Sequence, residues 1–187
     1  MMERTTAAAA LRWAAVGYLL IYFNFDLTLG ALVLPLLPNF VGWLLLYRAI
    51  QGLRTVQPAL NLLAPFVKAL GVWSLGQFVP RLAQIAQPYL GWASLVMALV
   101  ALYFHFQFLT DIAGIAEELG AAPRAGEMLW YRTCITLATT ATQLMMLLPE
   151  RWQPAAFLPL LLNVVASVAV NVGLFRLAGQ VERSLLN

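Results

Sequence analysis

The chain has 187 residues, of which 62% are hydrophobic and 10% charged, and it carries a formal net charge of +3. A soluble domain averages about 45–50% apolar and about 25% charged residues, so this composition excludes an ordinary water-soluble globule and points to a bilayer as solvent. The positive excess falls where membrane topology puts it, as shown below, and implies no nucleic-acid partner.

A helix needs about 20 residues to cross a hydrocarbon core of roughly 30 Å, and lipid offers no partner for bare backbone groups. The apolar runs predict six transmembrane helices: Leu11–Phe25, Asn39–Gly52, Leu60–Ala86, Tyr89–Leu109, Met128–Leu148 and Ala155–Ala178. The runs are continuous and lack period-two alternation, which argues against a β-barrel. The first run imitates a secretory signal. Glu3 dilutes its basic region, however, and no small-residue cleavage site follows Tyr18–Phe25, so it reads as a retained helix. The second helix is short, and Leu29–Leu37 reads as a broken piece before it, with Pro35 at membrane depth. The third is the most polar span. After the fourth, Asp111–Leu119 can continue as an amphipathic turn or two. Gly120 then fits a helix stop, and Pro123 opposes immediate resumption.

The six helices pair as three hairpins within a single domain, 1–187, and each outer turn holds proline: Pro35 and Pro38, then Pro88, then Pro149 and Pro154. A weak internal repeat supports this grouping. Leu34-Pro35-Leu36-Leu37-Pro38-Asn39 parallels Leu158-Pro159-Leu160-Leu161-Leu162-Asn163, and Val41-Gly42-Trp43 parallels Leu90-Gly91-Trp92. Hairpin repeats are known in transporters, although an abundance of Leu, Pro and Gly also produces such matches.

Charge orients the bundle. With the N-terminus inside, the cytoplasmic segments carry Arg4, Arg12, Arg48, Arg54, Arg124, Arg132, Arg176 and Arg183, while the outer turns carry Arg81 and Arg151. The positive-inside rule therefore places both termini in the cytoplasm. Lys68, nearer the inner end of helix three, is expected to snorkel to the headgroups. Trp13, Tyr47, Tyr89, Trp92, Trp130, Tyr131 and Trp152 fall near the interfaces, as aromatic belts do.

Polar groups inside the membrane are costly and usually face protein or water. Gln77, Arg81 and Gln84 share one face of helix three, extended by Trp73 and Ser74. Thr133, Thr136, Thr140 and Gln143 form a stripe on helix five, and Asn163, Ser167 and Asn171 form one on helix six. Asp26, Asn24 and Asn39 lie at about the depth of Arg81. Together they predict an outward-facing polar cluster of Asn24, Asp26, Asn39, Gln77, Arg81, Gln143 and Asn163. There Arg81 can hold an anionic ligand or lipid headgroup, because its guanidinium matches carboxylate and phosphate geometry. The competing readings are an Asp26–Arg81 ion pair locking helices one and three, and stripes that only cement helices.

Other chemistry is sparse. Glu117-Glu118 reads as a solvated helix end. His105, the one histidine, can relay protons but is more naturally a packed residue. Cys134, the one cysteine, permits neither an internal disulfide nor a thiol metal cluster. No nucleophile–base pairing, HExxH, phosphate loop or acidic Mg²⁺ cluster occurs, which argues against an enzyme and against a cofactor.

The segment Leu37-Pro38-Asn39-Phe40-Val41-Gly42-Trp43-Leu44-Leu45-Leu46-Tyr47-Arg48-Ala49-Ile50-Gln51-Gly52-Leu53 resembles a pattern, roughly LPDFIGYxLIxxGLxxL, of small uncharacterised bacterial membrane proteins. In that pattern the segment follows an Asn-rich turn such as Tyr22-Phe23-Asn24-Phe25-Asp26; Asn39 stands where the pattern has an acid. The resemblance covers about the first quarter of the chain and implies a multi-pass protein of the bacterial cytoplasmic membrane, with no known activity. In length and helix count the chain is also similar to substrate-binding subunits of energy-coupling-factor transporters. Their first helix carries small residues spaced by four that contact a coupling subunit, and Ala10 and Ala14 satisfy that spacing. The expected function is thus binding or transport of a small molecule or lipid. Membrane lipids, a small anionic ligand and another membrane subunit are the candidate partners, and an accessory subunit without a ligand is the alternative.

Overall fold

The computed structural model describes residues 2–23, 26–29, 32–35, 38–82, 91–146, 155 and 157–184. Six α-helices dominate them: α1 (Met2–Tyr22), α2 (Asn39–Leu53), α3 (Ala64–Leu82), α4 (Gly91–Glu118), α5 (Ala122–Met146) and α6 (Phe157–Arg183). A 3₁₀ helix, Pro58–Leu63, leads into α3. Between α1 and α2 the chain forms a two-stranded antiparallel ribbon, β1 (Asp26–Leu29) with β2 (Leu32–Pro35), in the register Asp26↔Pro35 to Leu29↔Leu32. The ribbon replaces the broken helical piece expected at Leu29–Leu37. Pro35 closes the last pair of the ribbon, a position at which a missing N–H costs little, whereas inside a helix it would remove a bond.

Several helix limits shift. α1 begins nine residues before the expected Leu11, because Thr5-Thr6-Ala7-Ala8-Ala9-Ala10 continues the helix; alanine has the best intrinsic propensity. α4 runs on to Glu118 and α5 begins at Ala122, so the polar stretch Thr110–Glu127 is two helix ends joined by a three-residue turn. Gly120 takes φ +78°, and the Ala121 and Gly120 N–H groups donate to the carbonyls of Ala116 (2.7 Å) and Glu117 (3.0 Å). Those two bonds satisfy the free end of α4 in a Schellman turn. Pro123 does not delay α5, because it occupies the helix's first turn, where its N–H would have no partner anyway.

Among the described residues, three segments are long and apolar enough to cross a membrane: Pro58–Val79, Gly91–Glu118 and Phe157–Arg183. Six were expected. The others fall short for identifiable reasons: α2 has only 15 residues, α1 spends its length on alanine around Arg12, and α5 carries Arg124, Glu127, Arg132 and five threonines.

Every consecutive pair of helices meets, and α6 returns to α1, so the bundle closes as a ring in chain order. Contacts show that neighbours run antiparallel. Gly17 faces Gly42 while Ala10 faces Gly52; Phe40 meets Phe78 edge to face; and Arg12 of α1 pairs with Glu182 of α6. Both ends of the chain therefore lie at one end of the bundle. The expected grouping into three hairpins gives way here, since α3 and α4 form the loosest consecutive pair and α4 packs better on α5. The proposed repeat is not structural either, because Leu34-Pro35 is strand and Leu158-Pro159 is helix.

The core is tight where α1 takes part. Ala7, Leu11, Ala14, Ala15 and Tyr18 are fully buried, and they meet Leu46, Ala49, Ile50 and Leu53 of α2 and Leu174, Leu177, Ala178 and Val181 of α6 in one cluster. Small residues let helix backbones approach closely without any hydrophobic drive from lipid. Ala10 and Ala14, whose spacing resembles a coupling-subunit contact, lie inside this packing, with Ala10 against Gly52.

Candidate functional site

The expected outer cluster divides. Asn24 lies outside the described residues. Asp26 begins β1 and Arg81 falls in the last turn of α3, but their side chains, and with them the expected ion pair, lie outside the described residues. Asn39 opens α2 with its Oδ1 buried and without a hydrogen-bond partner. Gln77 stands about level with it on α3, since the neighbouring Phe40 and Phe78 rings meet edge to face at 5.3 Å between centroids. Gln143 is exposed on α5. Asn163 of α6 donates its Nδ2 to Thr139 Oγ1 of α5 at 3.2 Å and buries an unpartnered Oδ1. Among the described residues, Asn39 and Gln77 stand on the α2–α3 pair and Gln143 and Asn163 on the α5–α6 pair, with α4 and α1 between the two pairs in the ring.

Part of each polar stripe bonds to its own helix. Thr133 and Ser167 donate to the carbonyls four residues back, as does Thr142 beside the α5 stripe, and Asn171 Nδ2 donates to Ser167 O at 3.1 Å, while Thr136 Oγ1 and Asn171 Oδ1 are buried without a partner. Such bonds satisfy a polar side chain in lipid without a partner helix. Among the described residues, Asn163 to Thr139 and Arg124 to Gln180 are the side-chain bonds that cross between α5 and α6, and Thr139 lies off the expected stripe.

The centre of the bundle is filled by rings. Tyr18 of α1, Trp43 of α2 and His105 and Phe108 of α4 pack together, with Phe104 and Tyr22 beside them. His105 is 6% exposed, and its Nδ1 lies 3.0 Å from the Tyr18 hydroxyl. The histidine is thus a packed residue with a partner on another helix, not a group lining a water path. Its sequence neighbours gave no sign of that partner, which is 87 residues away.

Cations gather at the end of the bundle that holds the termini. Arg48 lies over Trp13 at 5.2 Å, Lys68 over Tyr47 at 5.0 Å and Arg132 over Phe106 at 4.4 Å. Nearby, Arg124 holds Glu127 through Nη1 at 2.6 and 2.7 Å and reaches Gln180 of α6. Charged groups over aromatic faces are common where a helix meets the membrane interface.

Among the described residues, three grooves lie on the flanks of the bundle. The loosely packed α3 and α4 leave a cavity of about 530 Å³ that opens sideways, lined by Lys68, Ala69, Val72, Trp73, Gly76, Gln77 and Met97. On the other flank of α3, a groove of about 470 Å³ runs between α2 and α3 past Phe40, Trp43, Tyr47, Lys68, Val72 and Leu75. A third, of about 450 Å³, lies between α5 and α6 and includes Cys134, Ala138 and Pro159. Of the expected site residues, only Gln77 lines one of these grooves. Lys68 was expected to snorkel, but its position between two grooves was not foreseen. The signal was present as Lys68, Trp73 and Gln77 on a helix dotted with glycine. No family model, no curated protein and no solved structure matches this chain, so its functional reading rests on these residues alone.

Proposed function

We propose that the chain is a six-span protein of the bacterial cytoplasmic membrane, with both termini inside, that binds or moves a small amphiphilic molecule or lipid without reacting with it. The supporting observation is the sideways-opening groove between α3 and α4, apolar along Val72, Trp73 and Met97, with Lys68 near the inner end and Gln77 toward the outer. Ligand sites are concave, mostly apolar and furnished with a few placed polar groups, and this groove has that composition. Six spans are favoured by the ring itself. α1, α2 and α5 alternate with or flank the three clearly apolar helices, and a helix packed along a spanning helix shares its depth. α1 and α5, with 21 and 25 residues, are about 31 and 37 Å long at 1.5 Å per residue, which suffices to cross. The ribbon follows α1 and precedes the shorter α2, where it extends that part of the ring. The orientation follows from the cation–aromatic belt and the Arg-rich end beside the termini.

A second reading, an accessory subunit with no ligand, is favoured by the stripes of α5 and α6 bonding to their own backbones. Gly76 separates the two readings. A Cβ at this position meets nothing within 4 Å, so Gly76→Leu fits the fold but fills the groove. Protein purified in mild detergent is expected to retain a lipid or small amphiphile, detected by mass spectrometry, and Gly76→Leu is expected to lose it. Equal retention by the two proteins would favour the accessory role.

A further inference from the structure

We infer that Lys68 makes the α3–α4 groove selective for an anionic phospholipid of the inner leaflet, with the lipid phosphate at the Lys68 ammonium and an acyl chain laid along Val72, Trp73, Gly76 and Met97. This rests on the groove reading above and adds the chemical class of the occupant. Lys68 is the chain's single lysine, and its side chain is exposed. The ion pairs among the described residues are Arg12–Glu182 and Arg124–Glu127, so no carboxylate among them neutralises Lys68. Among the described residues its specific contact is the Tyr47 ring at 5.0 Å, which steers the ammonium while leaving its donors free. An ammonium is a compact point charge suited to phosphate.

Depth and shape agree with that headgroup. Lys68 stands beside Tyr47 and next to Arg48, in the belt at the basic end of the bundle, where anionic headgroups of the cytoplasmic leaflet lie. From Lys68 to Gln77 α3 rises about 13 Å at 1.5 Å per residue, and the lining between them is apolar. Lys68 and Val72 also line the α2–α3 groove. A headgroup at Lys68 therefore stands over two apolar troughs, one on each flank of α3, which suits a lipid carrying two acyl chains. A zwitterionic headgroup offers the same chains but no net charge for the ammonium.

The test uses the full chain in mixed micelles with equal phosphatidylglycerol and phosphatidylcholine, and counts retained lipid by native mass spectrometry. Wild type and Lys68→Arg are expected to retain the anionic lipid over the zwitterionic one by roughly fivefold, the contribution of one basic residue near a lipid surface. Lys68→Gln is expected to retain lipid without preference, and Gly76→Leu to retain neither. Both sites are exposed, and circular dichroism checks that each variant is folded. Equal retention of the two lipids by wild type, or an unchanged preference in Lys68→Gln, overturns the headgroup assignment and leaves the groove standing if Gly76→Leu still expels lipid. Undiminished retention by Gly76→Leu overturns the groove itself.

Discussion

The α1–α2 and α3–α4 seams use glycine for opposite ends. At the first, Gly17 and Gly42 bring two backbones together: a Cβ added at Gly17 would stand 2.8 Å from the Gly42 carbonyl oxygen, and one at Gly42 would stand 2.7 Å from that of Gly17. Gly52 does the same against Ala10 at 2.8 Å. At the second, Gly76 touches nothing, and the space it leaves is the groove. One residue type, read from sequence as helix punctuation, marks the most closely packed line in the bundle and the emptiest. Its meaning comes from what stands opposite.

That contrast can be broken. Gly42→Leu drives a side chain into backbone that cannot step aside, and overpacking of this kind costs about 3 kcal/mol. Unfolding of the protein in graded sodium dodecyl sulfate is expected to show the loss, and a midpoint unchanged from wild type would mean that the helices do not meet as described. Tyr18→Phe keeps the central ring packing but removes the hydroxyl beside His105 Nδ1, and is expected to cost about 1 kcal/mol in the same assay. Asn163→Ala removes the Asn163–Thr139 bond between α5 and α6, with an expected loss of about 0.6 kcal/mol, the average for such contacts in membranes. Gly76→Leu is expected to stay within about 0.5 kcal/mol of wild type, as surface substitutions do, while abolishing amphiphile retention. A large destabilisation there would close the supposed gap between the two seams.

How much of this could be read beforehand depended on whether the signal was local. α2 was legible as Asn39–Gly52 because Pro38 precedes it and an apolar run fills it; the structure ends it one residue later. The stop at Gly120 was legible because only a left-handed turn needs glycine there. Pro123 misled, since proline opposes a helix interior but suits its first turn. The ribbon at residues 26–35 was hidden by leucine, which is compatible with helix or strand, and the pairing of Asp26 with Pro35 is not a local property. The candidate cluster is a different case: Asn24 and the side chains of Asp26 and Arg81 lie outside the described residues, and its other members sit on separate pairs of helices. Residue counting placed Asn39, Gln77, Gln143 and Asn163 at similar depth, but depth does not give position around the ring. The closure of α6 on α1, which separates these residues, is set by the longest contacts in the chain. The Tyr18–His105 pair was out of reach on the same grounds.

The ring closure has a consequence in time. α1 is made before α6, yet much of the surface that buries it belongs to α6. Between the end of α1 at Tyr22 and the start of α6 at Phe157 lie 134 residues, on the order of ten seconds of synthesis at typical ribosomal rates. During that interval the alanine face of α1 has α2 on one side and lipid on the other. A nascent chain stopped before α6 therefore presents an open flank on α1, which closes only when α6 arrives.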